Sequence, residues 1–567
     1  MTRLLITALY TMTVFTAQAG LPAFDQEALN AFWDQNASPE KWEAALTQLD
    51  QQLEDTHRNE GVKSFTDNPH FTPWLYTQAW LRLGVTNKII RNNAELAGAF
   101  VALGKIPQAS HLLVRHLRPG DNAAKATEIL TRIHLTLPEK TKDYSSLAVA
   151  YAIVFDQEFP KTWPHHQVKA EAVPVGNTDP SERYRFYIES NESKQLDLDL
   201  RELGPTELKF MVDSLISLDE LRYAQKSKFS RSKLDKAFSS IIYDTPRVKT
   251  NRYTWTHPSY KLQDIEQNGG ICVDQAYYGT AIGKGRGVPT LYFSGQGSDG
   301  GHAWFGFMAR QGKWELDCGR YESQNYPIGY ATDPQNWRPI NDAELEYLFR
   351  DLGKNPNEQA SQAALVWAFQ KSNNQQDLST ILSYYENARN LAPENPELWK
   401  YQRFFLDKLN PEPERLRTFY ESWIQQFAKN SDMKVEGQNH LLEVLTRAQD
   451  PLAADLKKDI IRENRRKRFD LGIGVGAGTI FEQLEAKNWV EAEKEFKKMV
   501  RKFDDKGGGN LFYQIIEPYV TACLEEGQKD MAEDALKYAD KKIDRDQGSI
   551  LDKEFEKLYT AVDREKK

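Results

Sequence analysis

The chain has 567 residues, 40% of them apolar and 11% aromatic, with a formal net charge of −8. That composition excludes an intrinsically disordered chain, and the length predicts three or four folded units. The acidic balance argues against nucleic acid as a partner.

Residues 1–19 read as a secretory signal peptide. Met1-Thr2-Arg3 is a positive start, Leu4 to Phe15 is mostly apolar, and Ala17-Gln18-Ala19 fits small-residue cleavage after Ala19. No later stretch is apolar enough to span a membrane, so the mature protein is expected to be exported, periplasmic or secreted, with no membrane span. Residues 20–165 carry helical periodicity and predict an N-terminal α-helical domain. Leu103 to Ala109 contains a helix end, a turn and a new helix start. His165-His166 beside Pro164 reads as surface loop rather than metal ligand.

Residues 166–232 change character. Tyr184 to Glu189 and Leu196 to Leu200 alternate in strand fashion, which predicts a small β-rich segment followed by linking helices. Residues 351–567 return to helical patterning. The joins Leu484 to Ala492 and Leu524 to Ala532, and the stretch Ala388 to Trp399, resemble tetratricopeptide-like (TPR-like) helix pairs, whose stacks bind protein partners. Gly472 to Gly478 has glycine at every second position, lacks dinucleotide or P-loop spacing, and is expected to form a tight turn. Arg465 to Arg468 reads as a solvated helix face.

The chemistry is concentrated in residues 233–350. Asn268-Gly269-Gly270 signals a turn, and a helix predicted from Ile271 places Cys272 in its first turn. Free N–H groups there favour a thiolate and can bind an oxyanion. Ala276, Gly279, Thr280 and Gly283 form a small-residue face suited to lying on a sheet. His302 opens an aromatic strand, and Lys313 to Asp317 reads as the returning strand. A four-residue loop, Ala309 to Gly312, would leave His302 and Asp317 as near neighbours on one face. A three-residue loop would put them on opposite faces. Cysteine as nucleophile, histidine as base and carboxylate as orienter make a catalytic triad. Ser294 to Gly301 is glycine-rich and expected to line or gate the cleft.

These motifs, Gly270-Ile271-Cys272, His302-Ala303-Trp304 and Trp314-Glu315-Leu316-Asp317, with the lead-in Ser259 to Ile265, resemble the transglutaminase-like superfamily. The resemblance covers about a fifth of the chain. It implies a papain-like α+β core, in which the cysteine helix packs on an antiparallel sheet carrying the other two residues. It also implies an oxyanion-assisting side chain upstream of the cysteine; Trp255 and Gln267 are the candidates. Gly270, Trp304 and Ser298 are expected at the substrate cleft.

The expected whole is a multidomain protein, an α+β papain/transglutaminase-like core flanked by mainly α-helical TPR-like domains. Its expected activity is cysteine acyl transfer on peptide or carboxamide bonds of polypeptides, with water or an amine as acceptor. The alternative is an inactive core in a protein-binding scaffold. The three cysteines include no CxxC pair, so no zinc site is expected, and the chemistry implies no cofactor. Cys318 and Cys523 are expected to be reduced.

Overall fold

The structure is a computed structural model that describes residues 21–351, 355–372, 377–409 and 411–566. The leader assigned to residues 1–19 lies outside the described residues. Among the described residues the protein is rich in helix, with one small antiparallel sheet near the middle of the chain.

Helices from Gln26–Gln35 to Ser145–Val154 form the N-terminal part. Trp33, Trp42, Trp74 and Trp80 are buried there, and every residue from Leu147 to Val154 is buried. A helix apolar on all sides can only be a central one; Pro107–His116, Ala123–Thr136 and Pro205–Val212 pack against it.

Residues 166–232 differ from the strands expected. Pro180–Glu192 is a helix, and Leu200–Glu202 is a single 3-10 turn. Asp179 caps the helix through Ser181 N–H, and Pro180 occupies its first position, where a missing N–H is harmless. Tyr184, Tyr187 and Ile188 share its buried face. The buried Arg183 of the same helix donates to the carbonyls of Ile216 and Ser214. Capping and tertiary burial outweigh the local alternation. The only pairing of strand type in the segment is a single bridge between Val175 and Ile216.

The sheet has five strands in the order β3-β2-β1-β4-β5. They are β1 (Thr290–Gln296), β2 (Gly301–Arg310), β3 (Lys313–Cys318), β4 (Tyr330–Asp333) and β5 (Arg338–Asn341). The helix Cys272–Gly285 lies against β1 and β2. A Cβ on Gly279 would sit 2.5 Å from the Phe305 ring, and one on Gly283 would sit 2.3 Å from Thr290 Cγ2. The small-residue face is therefore what lets helix and sheet approach.

C-terminal helices run from Glu358–Ser372 to Ile550–Lys566, joined as α-hairpins at the expected turns. Ala492 and Ala532 are fully buried where successive helices meet. The glycine run is not a turn but part of the helix Phe469–Glu485. Gly472 and Gly476 face the next helix, Trp489–Phe503, where a Cβ on Gly476 would sit 2.0 Å from Met499 Cε. Close packing against Met499 and Phe503 offsets the weak helix propensity of glycine. Arg468 is not on a solvated face either. It is buried between Asp432 and Asp470, whereas Arg465, Arg466 and Lys467 are exposed. Among the described residues no helix is long and apolar enough to cross a membrane.

Candidate active site

Gly269 ends the helix Leu262–Asn268 at φ +73°, and its Cβ position lies 2.5 Å from the Ile242 carbonyl oxygen. Only glycine suits both demands. The chain then pairs with residues 242–244: Gly270 N–H donates to Ile242 O at 2.9 Å, and Asp244 N–H to Gly270 O at 3.0 Å. Cys272 follows as the first residue of its helix.

Asp274, fully buried, holds this turn. One carboxylate oxygen accepts from Ile271 N–H at 2.8 Å and Arg247 Nη1 at 2.7 Å; the other accepts from Tyr260 Oη at 2.8 Å. Tyr260 Oη lies 2.8 Å from His165 Nε2, and His165 Nδ1 accepts from Gln167 N–H at 3.3 Å. Because Nδ1 accepts, the ring proton sits on Nε2. The bonds then run one way, from His165 to Tyr260 to Asp274. The chain ties Gln167 to the cysteine turn across more than a hundred residues of sequence. His165 is therefore a buried structural residue, not surface loop.

Two influences oppose each other at the Cys272 thiol. N–H groups of Ala303, Val273 and Cys272 favour the thiolate, whereas burial and the Asp274 charge oppose it. Burial is the largest, and it pushes the thiol above its ordinary range. The helix terminus does not deliver the lowered pKa expected from sequence, because desolvation of an anion outweighs a few backbone dipoles here. Tyr243, Tyr292, Tyr321 and Tyr326 all lie within electrostatic reach of the sulfur.

His302 is buried at the start of β2. Tyr321 stacks on its ring at 4.2 Å between centroids, and Tyr326, Trp304 and Phe238 surround it. Its Nε2 lies 2.7 Å from the carbonyl oxygen of Gly319. A carbonyl can only accept, so Nε2 carries the proton and Nδ1 keeps a lone pair. Burial lowers the imidazole pKa, and the Gly319 bond opposes that weakly. Burial thus favours the uncharged form of both groups.

Asp317 is not brought to His302. The β2–β3 connection is the two-residue turn Gln311-Gly312, with Gly312 at φ +67°. Phe307 pairs with Glu315 and Phe305 with Cys318, so Leu316 and Asp317 together oppose Gly306 in a β-bulge. The bulge turns Asp317 outward, 67% exposed, onto Arg320 Nη1 at 2.8 Å. Arg320 also holds Asp342 at 2.9 Å. The group that orients His302 is thus a backbone carbonyl, which no side-chain motif announces.

Cys272 and His302 open into one cleft of about 780 Å³. Gln167, Ser294 and Gln296 line it on one side. The C-terminal helices supply the other wall, with Asp470, Gly474 and Gln514. Neither expected oxyanion side chain reaches it. The Trp255 indole N–H is taken by Ser259 O at 3.0 Å, and Gln267 is exposed on the helix before the cysteine. Gln167, upstream of both, does line the cleft; its Oε1 is buried without a hydrogen-bond partner, and only its Nε2 can donate.

Gly270, Trp304 and Ser298 do not line the cleft either. Gly270 is buried against Asp274, and Trp304 is core, donating to Leu316 O at 2.9 Å. Ser298 belongs to the β1–β2 loop, which the C-terminal helices clamp. Gly509 N–H donates to Ser298 O at 3.0 Å, Asn510 Nδ2 to Gln296 O at 2.8 Å, and Leu551 N–H to Asp299 O at 3.1 Å.

Cys318 and Cys523 are buried and unbridged. Among the described residues no group of three or more His, Cys, Asp or Glu side chains is arranged to hold a metal ion. No protein-family model, curated protein or solved structure matches the chain.

Proposed function

We propose that residues 233–350 form a transglutaminase-like catalytic core and that the chain is an exported cysteine acyl-transfer enzyme acting on polypeptides. The observation that carries this reading is the shared cleft: Cys272 at a helix start, its sulfur against Ala303 N–H, and His302 lining the same cleft with its proton held on Nε2 by Gly319.

The chemistry follows from that tautomer. His302 Nδ1 takes the thiol proton as Cys272 Sγ attacks a peptide or carboxamide carbonyl. The negative charge that develops on the carbonyl oxygen meets Cys272 N–H and the amide N–H of Gln167. The imidazolium returns its proton to the leaving amine, and a thioester remains on Cys272. Water then releases the acid and regenerates the thiol; an amine in place of water gives a transamidated product. Hydrolysis is the reaction we assign, because water needs no dedicated acceptor site. Deprotonation coupled to attack suits a pair that is neutral at rest.

The leader-like residues 1–19 support export, and the C-terminal helices that wall the cleft support a polypeptide substrate threaded between two parts of the chain. The test is to incubate the protein with a peptide library, quench in acid and seek a thioester adduct at Cys272 by mass spectrometry. A peptide-dependent adduct that Cys272→Ala abolishes carries the reading; its absence, with intact protein and no cleavage products, points to the protein-binding scaffold.

A further inference from the structure

A second cavity of about 290 Å³ lies behind the cleft, between the cysteine helix, β1 and β4. His166, Tyr292, Ser294 and Tyr330 line both spaces, so the two adjoin. The helix wall is a single stripe, Tyr277, Thr280, Ala281 and Lys284, at i, i+3, i+4 and i+7. Trp163 and Trp337 supply aromatic surface from two loops.

Three features separate this cavity from an ordinary packing void. Trp337 holds φ +55° in the β4–β5 turn, a conformation bulky residues rarely adopt. Strain of this kind persists where the placement of the side chain matters. Tyr277 Oη and Trp337 Nε1 are both buried with no hydrogen-bond partner. Natural structures leave few such groups unpaired, and each asks for a reason. Lys284 and Asp213 also line the cavity as a buried ion pair, and Lys284 Nζ donates to Phe210 O at 3.0 Å. An ammonium has three donors, and these two bonds leave one free.

The chemistry of these groups selects a ligand class. A paired cation and carboxylate carry no net charge, which disfavours a charged ligand that cannot find its own partner. Trp163, Trp337 and Tyr292 favour stacking by a flat ring, and the unpaired donors ask for an acceptor at its edge. We infer that this cavity is the specificity subsite of the cleft and takes a tyrosine side chain, whose hydroxyl can accept, from the acyl-donor peptide. The tip hydrogen-bonds to the Lys284–Asp213 pair, and the peptide backbone passes Ser294 to reach Cys272. This rests on the acyl-transfer reading above.

Two measurements separate the subsite from the chemistry. The first is calorimetric binding of N-acetyl-tyrosinamide, N-acetyl-phenylalaninamide and N-acetyl-alaninamide to Cys272→Ala protein, which requires no reaction. The tyrosine amide should bind at least tenfold tighter than the phenylalanine amide, and the alanine amide should not bind measurably. Tyr277→Phe, which removes a hydroxyl that has no partner, should weaken the tyrosine amide. Ser294→Trp, at an exposed position shared by both spaces, should block it. The second is labelling of Cys272 in the unmodified protein by vinyl-sulfone peptides that differ only in one side chain, tyrosine, tryptophan, alanine, lysine or glutamate. The tyrosine probe should label at least tenfold faster than the rest. Equal labelling by all probes together with equal binding of the three amides overturns the subsite and leaves acyl transfer standing. Selective amide binding with no probe labelling Cys272 sustains the cavity and overturns the acyl-transfer reading.

Discussion

The Nε2 atom of His302 lies 2.7 Å from the carbonyl oxygen of Gly319, a residue held at φ +96°. A Cβ on Gly319 would lie 2.6 Å from the Phe238 ring. Both constraints keep the carbonyl aimed at the imidazole. Gly319→Val should therefore lower kcat by at least a hundredfold, since a misplaced base costs about that much. Asp317→Asn should change kcat by less than threefold, because its exposed pair with Arg320 contributes at most about 1 kcal/mol. Kinetics on one acyl donor, with melting curves to check folding, decide this. Equal losses in the two variants would return the orienting role to the carboxylate.

The ionisation state of the nucleophile can be read from alkylation. Burial moves the Cys272 thiol up and the His302 imidazole down, so the two should not form an ion pair at rest. Iodoacetamide labelling of Cys272 should rise only near and above the ordinary thiol pKa of about 8.5. A fast plateau at pH 5–6 would mean a thiolate–imidazolium pair and would contradict the neutral resting state.

Gln167 lines the cleft, and on the proposed mechanism its amide Nε2, the donor end of the side chain, meets the developing oxyanion. Gln167→Ala should lower turnover by about 10²–10³-fold, the usual loss for one oxyanion donor. Iodoacetamide forms no tetrahedral oxyanion, so its rate at Cys272 should stay within twofold. A parallel fall in both rates would make Gln167 a packing residue.

An acidic pair, buried Asp156 and half-buried Asp121, sets a pH dependence of stability. Burial and the neighbouring Asp121 raise the Asp156 pKa to about 7; its Oδ1 has no partner, while Oδ2 accepts from Asn122 N–H at 2.6 Å. A folded pKa above the unfolded value of about 3.9 means the folded state binds the proton more tightly. That contribution is complete below about pH 3.9 and is lost as pH rises through about 7. Asp156→Asn should thus raise Tm at pH 8, and the gain should shrink or reverse at pH 5. A gain of equal size at both pH values would dissociate the effect from titration.

The C-terminal helices grip the β1–β2 loop at glycine positions. A Cβ on Gly509 would sit 2.2 Å from Gln296 Nε2 and 2.7 Å from Gly297 O. Gly509→Val should push the loop from its clamp, raising proteolytic cleavage within residues 296–301 and speeding alkylation of Cys272. Unchanged proteolysis and alkylation would mean the clamp does not limit access to the cleft.

Much of this site was legible in the chain because it depends on neighbours in sequence. Gly269-Gly270 marks a turn wherever it occurs, the small-residue stripe after Cys272 marks a helix pressed on a sheet, and the stretch ending at Gly312 marks a hairpin, although its loop has two residues instead of the four or three expected. Those signals place Cys272 at a helix start and His302 at a strand start. Local pattern misled where a cap and a tertiary partner decided. Tyr184 to Glu189 alternates like a strand, yet Asp179 and the buried Arg183 hold it helical.

What only the tertiary structure decided is which groups meet. A bulge opposite Gly306 turns Asp317 to solvent, and one extra residue in a strand is enough to change the face a side chain takes. Gly319 orients His302 through a backbone carbonyl, a group every residue carries, so its identity gives no warning. Gln167 reaches the cleft through His165, Tyr260 and Asp274, a chain of bonds between segments far apart in sequence. Periodicity and turn chemistry report on a few successive residues, so the amino-acid order marks Cys272 and His302. The partners that tune them are set by long-range packing, which no local pattern records.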